Sequence, residues 1–255
     1  MKKLIFATAL IGLLVLGGCQ SGSSESDEKD DKVLRVGTEG TYAPFSYRDE
    51  QNKLVGYDVE VAQAVADKIG YQAKFVDAPW DSMIAAFDAK KTDVIFNQVS
   101  ITDERKEKYD FTIPYSISHV SLVANEADDS IQSFADLKGK KSAQTLTSNY
   151  AKLAEEYGAE LVSTDGFSKS AELVANGQAD ATLNDDVTFY DYLNQQPNAP
   201  LKLVEVSEDS TEVGAMLHKG NEELIKKIDQ ALQELKDEGV LTKLSIKYFD
   251  KDISK

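Results

Sequence analysis

Cysteine occurs once in 255 residues, tryptophan once and histidine twice. A lone Cys19 leaves no partner for an internal disulfide, and it excludes a cysteine-built metal site. His119 and His218 stand far apart, without the Cys, His or carboxylate spacing that accompanies metal ligation, so both read as structural residues. No Ser-His-Asp arrangement stands out, and the 15 glycines are scattered without forming a phosphate-cradling loop, which argues against nucleotide binding. Basic residues are outnumbered, 28 Lys and Arg against 44 Asp and Glu, for a net charge of -16. Nucleic acid and anionic lipid surfaces both require basic clusters, so neither is expected as a partner. No metal and no cofactor is expected.

One long apolar run exists, at residues 4–16, preceded by Lys2 and Lys3 and followed by L-G-G-C at 16–19. That order reads as a secretory signal over residues 1–18, too short to span a bilayer comfortably as a mature helix. Its end resembles the bacterial lipobox, which implies cleavage before Cys19 and lipid, such as palmitate, on its thiol. From Cys19 to Lys32 the chain is Ser-rich and acidic and has no apolar residue after Cys19, which reads as a disordered tether.

What remains is long enough for one large core or two smaller ones. Apolar alternation at 33–38, an amphipathic helix opened by Asp58 and stopped by Gly70, a strand at 71–76 and a helix after Pro79-Trp80-Asp81 make an α/β order. The centre of interest is D-V-I-F-N-Q-V-S-I-T-D-E-R at 93–105. Val94, Ile95 and Phe96 form the continuous apolar run of a buried parallel strand, and polarity returns at Asn97, Gln98 and Ser100. In open α/β sheets ligands bind just past such strand ends. Arg105 supplies a planar fork that can grip a carboxylate, although pairing with Asp103, Glu107 or Asp110 would also satisfy it.

The pattern repeats. K-T-D-V-I-F-N at 91–97 is echoed by A-D-A-T-L-N-D at 179–185, in each case an apolar strand with a polar tip, which predicts two facing α/β lobes. Strands are expected at 119–124 and 212–217, each crossing between lobes, with helices over 149–157, 167–177, 186–193 and 224–235. Ser148 suits a helix start and Asp185 a strand end, and each is equally suited to plain N-capping.

Five blocks carry a resemblance: T-E-G-T-Y-A-P-F-S at 38–46, G-Y-D-V-E-V-A at 56–62, W-D-S-M-I-A-A-F at 80–87, N-Q-V-S-I-T-D-E-R-K at 97–106 and F-T-I-P-Y at 111–115. In order and spacing they resemble the polar amino acid family (family 3) of ABC-transporter solute-binding proteins, and the N-Q-V variant with Glu39 and Trp80 resembles its L-cystine-binding branch. The resemblance implies a two-lobed periplasmic-binding-protein-like fold (type II) with two hinge strands. Lobe 1 would cover 33–122, lobe 2 123–212, and residues 213–255 would return to lobe 1.

It further implies a non-enzymatic, monomeric, extracytoplasmic protein, anchored to the cell membrane through Cys19, that hands an amino acid to the permease of an ABC importer. Arg105 and the backbone at Ser148 would hold the α-carboxylate; Asp185, Ser100 and the backbone at Gln98 would hold the α-ammonium. Tyr42 and Trp80 would sandwich the side chain, with Glu39 and Asn97 reaching a distal polar group, which favours cystine. Thr147 departs from the pattern, since many relatives carry Gly there. Two rival readings stay open: a small dehydratase with Glu39 as its acid, and a ligand-sensing subunit.

Overall fold

The structure is a computed structural model, and it describes residues 32–255. The expected signal (1–18), Cys19 and all of the expected tether except Lys32 lie outside the described residues.

Chain order runs β1 (Val33–Thr38), β2 (Thr41–Tyr42), β3 (Ser46–Arg48), β4 (Leu54–Val55), α1 (Tyr57–Lys68), β5 (Gln72–Asp77), α2 (Trp80–Asp88), β6 (Val94–Ile95), α3 (Asp103–Lys108) and β7 (Tyr109–Phe111). Next come β8 (Ser116–Asn125), a 3₁₀ turn at Phe134–Leu137, β9 (Lys141–Gln144), α4 (Asn149–Glu156), β10 (Glu160–Ser163), α5 (Phe167–Ala175), β11 (Ala181–Asp185), α6 (Asp186–Gln195) and β12 (Leu201–Val213). β13 (Met216–His218), α7 (Glu222–Asp237) and α8 (Val240–Phe249) complete it.

Two five-stranded sheets result, ordered β5-β1-β6-β13-β7 and β10-β9-β11-β8-β12. Position by position their directions match: three parallel strands, then two antiparallel ones. β6 and β11, the two strands whose sequences echo each other, occupy the middle of their sheets. Val94, Ile95 and Phe96 are fully buried, as a continuous apolar run in a covered parallel strand should be. The α/β class and the two-lobed arrangement read from the sequence are therefore what the chain adopts.

β8 and β12 pair antiparallel along most of their length and lead to and from the first sheet. The expected lobe borders at 122/123 and 212/213 fall inside these strands. The second crossing differs from the expected single strand over 212–217. It begins at Leu201, and it breaks at Gly214-Ala215 before β13 joins the first sheet. A Cβ at Gly214 would come within 2.9 Å of Ile101 Cδ1 and 3.1 Å of the Thr112 carbonyl, so the break lies where two backbones approach closely. α7 and α8 then pack on α1, returning the chain to the first lobe.

Helix α1 begins one residue before Asp58, with Gly56 as its N-cap and no side-chain cap. Asp58 is thus inside the first turn rather than capping it, and its carboxylate is turned into the core. Both histidines are structural: His218 stacks on Phe87 at 3.8 Å with Nε2 3.0 Å from the Thr92 carbonyl, and His119 Nδ1 lies 3.0 Å from the Ser207 carbonyl.

Gly56 takes φ 131°, and a Cβ there would fall 2.2 Å from the Phe45 carbonyl oxygen. Gly56→Ala is expected to cost at least about 2 kcal/mol in a denaturant melt. Gly70→Ala, at φ 72° with nothing within 4 Å of the new methyl, should cost about 1 kcal/mol. Equal losses at the two sites would contradict the backbone contact.

Candidate functional site

A small cavity lies between the carboxyl ends of the two central strands, the place where ligands bind in open α/β sheets. The first lobe lines it with Glu39, Tyr42, Trp80, Asn97 and Gln98, and the second with Thr145, Ser148, Asn149, Tyr150, Gly166, Phe167 and Asn184. Strand ends supply most of the polar groups: β1 leads into Glu39, β6 into Asn97 and Gln98, β9 into Thr145, and β11 carries Asn184.

Glu39 is 6 % exposed and accepts a hydrogen bond from Asn97 Nδ2 on Oε2 at 2.8 Å. Burial pushes its carboxyl up to about 7, against the Asn97 amide and the Trp80 backbone, which favour the charge. Asn97 is wholly committed to this arrangement. Its Oδ1 accepts from Thr38 Oγ1 at 3.0 Å, from the Glu39 N–H at 2.8 Å and from Ser46 Oγ at 3.2 Å. Although Asn97 borders the cavity, its amide holds Glu39 rather than reaching outward.

Gln98 takes the left-handed φ of 49°, and its side-chain amide is bonded within the first lobe. Nε2 donates to Asp58 Oδ1 at 2.8 Å and Oε1 accepts from Ser116 Oγ at 3.0 Å. Tyr115 also donates to Asp58 Oδ1, at 2.9 Å, while Oδ2 finds no donor among the described residues. Burial lifts this carboxyl too, to about 7. The side chains of Asp58 and Ser116 therefore hold Gln98 in a backbone region that costs a non-glycine residue free energy.

Arg105 sits in α3, where Thr102 Oγ1 caps the helix by accepting from the Arg105 N–H. Nη1 donates to the Ser100 carbonyl at 3.0 Å, and the guanidinium carbon lies 5.3 Å from the Trp80 ring centre. None of Asp103, Glu107 and Asp110 pairs with it. Nη2 is buried without an acceptor among the described residues, and burial lowers the pKa of the guanidinium. Ser100 is buried beside it and bridges to Val213 on the crossing strand.

Asp185, expected at the cavity wall, stands behind it. Its Oδ1 accepts from Tyr150 Oη at 2.5 Å and its Oδ2 from Tyr42 Oη at 2.9 Å, so one carboxylate is held by phenols from both lobes. Tyr42 Oη also lies 2.6 Å from Asn184 Oδ1 and accepts from Thr188 Oγ1 at 3.2 Å. Burial raises all three groups, Asp185, Tyr42 and Tyr150, so the phenols keep their protons and act as donors. Asp185 is the N-cap of α6 by position, yet its side chain makes no cap bond.

Ser148 does cap. Its Oγ accepts from the Ala151 N–H at 3.1 Å and donates to the Thr145 carbonyl at 2.9 Å. Its own N–H goes to the same carbonyl at 3.2 Å, so the expected backbone donor is engaged. The donors this helix start can offer are the N–H groups of Asn149 and Tyr150, whose positions give them no intrahelical acceptor.

Tyr150 and Asp58 escaped the sequence reading. Tyr150 lay inside the helix expected over 149–157 without a role of its own, and its hydroxyl reaches Asp185 at the end of β11. Asp58 read as a cap, because an acid before an apolar periodic run is the usual sign of one.

The lobes are closed on each other, with bonds from Tyr42 to Asn184 and Asp185, from Trp80 and Asp81 to the 146–147 loop, and from Lys152 to Glu104. Twin lobes shut over a buried polar cavity define a protein built to enclose a small solute. Residues 34–251 match the bacterial extracellular solute-binding proteins, family 3, and the chain belongs to that family of binding proteins rather than of enzymes, which puts it outside the cytoplasm.

A probable amino-acid ABC transporter-binding protein of Haemophilus influenzae is 43% identical over the full length of both chains, and the L-cystine-binding protein TcyA of Bacillus subtilis is 37% identical over the full length of both. Among solved structures, an ancestral arginine-binding protein with arginine bound is 38% identical at TM-score 0.80, covering 85% of this chain and 98% of its own. The L-cystine solute receptor of Neisseria gonorrhoeae, unliganded and open, is 45% identical at TM-score 0.58, covering 89% and 96%. The more similar sequence superposes less well, as an open arrangement should against a closed one.

Folded Glu39 titrates near 7 and a free glutamate near 4.5, so Glu39 adds stability at low pH that is lost as pH rises through 7. Glu39→Gln removes that dependence. In denaturant melts without ligand, the stability of Glu39→Gln relative to the unsubstituted protein should improve by on the order of 2 kcal/mol between pH 5 and pH 8. A pH-independent difference would contradict the buried, proton-holding carboxyl.

Proposed function

We propose that the protein captures a polar amino acid, L-cystine in first place, outside the cytoplasm and presents it to the permease of an ABC importer. The observation that carries this reading is the Nη2 of Arg105, a buried cationic donor with no acceptor among the described residues, lying against the Trp80 indole at the cleft. A carboxylate is the ligand group that satisfies such a donor with a charge-assisted bond.

Arg105 takes the α-carboxylate, aided by the N–H groups at the start of α4. The α-ammonium goes to Asp185, displacing the Tyr150 phenol from Oδ1, with the Ser100 hydroxyl and the Gln98 backbone beside it. Exchanging a neutral donor for an ammonium strengthens the bond to the carboxylate. Tyr42 and Trp80 flank the side chain, and a disulfide suits their faces through sulfur–aromatic contact.

Glu39 supplies the preference for cystine. A second ammonium stabilises its charged form, whereas an acidic side chain would meet a like charge. The names carried by TcyA and by the gonococcal receptor favour the same ligand. We further propose that residues 33–122 with 213–255 move against 123–212 about β8 and β12, and that a lipid on Cys19 holds the protein at the membrane face. It acts as a monomer.

A thermal-shift panel of the common amino acids plus L-cystine tests the ligand, because binding to the folded state alone raises the melting temperature. The largest shift is expected with L-cystine. Losing one partner of a desolvated charge pair costs roughly 2–5 kcal/mol, so Arg105→Ala should weaken binding by on the order of a hundredfold in calorimetry. Unchanged affinity in that variant would remove Arg105 from the site.

A further inference from the structure

Trp80 is the only tryptophan in the chain, and its indole does not rest on apolar contacts alone. Nε1 donates to Thr147 Oγ1 of the opposite lobe at 2.9 Å. The same hydroxyl donates onward to Asp81 Oδ1 at 2.6 Å. Asp81 also receives the Thr147 N–H on Oδ1 at 2.9 Å and the Leu146 N–H on Oδ2 at 3.2 Å. Every one of these bonds runs between the first turn of α2 and the loop that precedes α4.

Chemistry fixes the roles. An indole N–H only donates and a carboxylate only accepts, so the group between them must do both at once. A hydroxyl can. A glycine cannot, and neither can an aliphatic side chain.

We propose that Thr147 is a positioning residue: its hydroxyl fixes the Trp80 indole at the cleft and, with Asp81, forms the catch that holds the lobes shut on a bound amino acid. The Thr147 hydroxyl is taken up by Trp80 and Asp81, so it acts on the ligand through the indole and through closure. The inference rests on the reading that Trp80 faces the ligand. Since the catch forms only when the lobes meet, its loss acts on escape and spares capture.

Trp80 emission follows closure directly, because no second tryptophan contributes. With L-cystine as probe in stopped flow, Thr147→Val is expected to raise the dissociation rate about tenfold while the association rate stays within about threefold. Thr147→Ser keeps the hydroxyl and should dissociate like the unsubstituted protein. Asp81→Ala removes the acceptor from the same catch, together with its two backbone bonds, and should dissociate at least as fast as Thr147→Val. It decides the matter if the valine variant melts early.

Dissociation of Thr147→Val at the unsubstituted rate, or of Thr147→Ser as fast as Thr147→Val, would overturn the proposal. Failure of the underlying reading looks different: Trp80→Phe would then bind L-cystine in calorimetry with full affinity.

Discussion

Arg105 keeps its guanidinium against the Trp80 indole with one arm tied to the Ser100 carbonyl and the other without an acceptor among the described residues, and much of the cleft serves that arrangement. A cation taken out of water is stable only where charge or dipoles answer it. The helix cap at Thr102 sets the height of the side chain, and the bridge from Ser100 to Val213 fixes the carbonyl it grips. Closure of the second lobe brings Tyr150 near. On the proposed function, a ligand with an anion at one end and a cation at the other completes the set in one step.

The same need accounts for the tyrosine bonds to Asp185. With both oxygens taken by phenols from opposite lobes, the carboxylate is solvated inside the protein, and the lobes have a reason to meet. Hydrogen bonds from neutral donors are weaker than those from an ammonium, so the phenols can yield to a ligand. On the proposed function, closure and recognition use one group. Glu39 and Asp58 are the other buried carboxyls of the first lobe's binding edge, and each is held near neutrality by burial until a partner favours its charge.

Much of this was legible in the sequence. The echo between 91–97 and 179–185 foretold two sheets, and these turned out to share one strand order with β6 and β11 at their centres. Apolar periodicity found most helices because burial dictates it. The break at Gly214 was hidden, because a glycine within an alternating run looks the same whether the strand continues or changes sheets. The six residues of α3 were too few to show a period, so the setting of Arg105 was invisible although the residue itself stood out. Tyr150, Asp58 and the commitment of Asn97 to Glu39 depend on which way a side chain points after long-range folding. Spacing along the chain does not carry that information.

The central claim is that the cleft closes on a zwitterion whose carboxylate answers Arg105. A crystal structure of the protein with L-cystine tests it most directly. The account expects an α-carboxylate oxygen about 2.7–3.1 Å from Nη2 of Arg105 and the Tyr150 hydroxyl swung off Asp185 in favour of the ligand's ammonium. A bound ligand that leaves Nη2 without an acceptor and the two phenols still on Asp185 would contradict it.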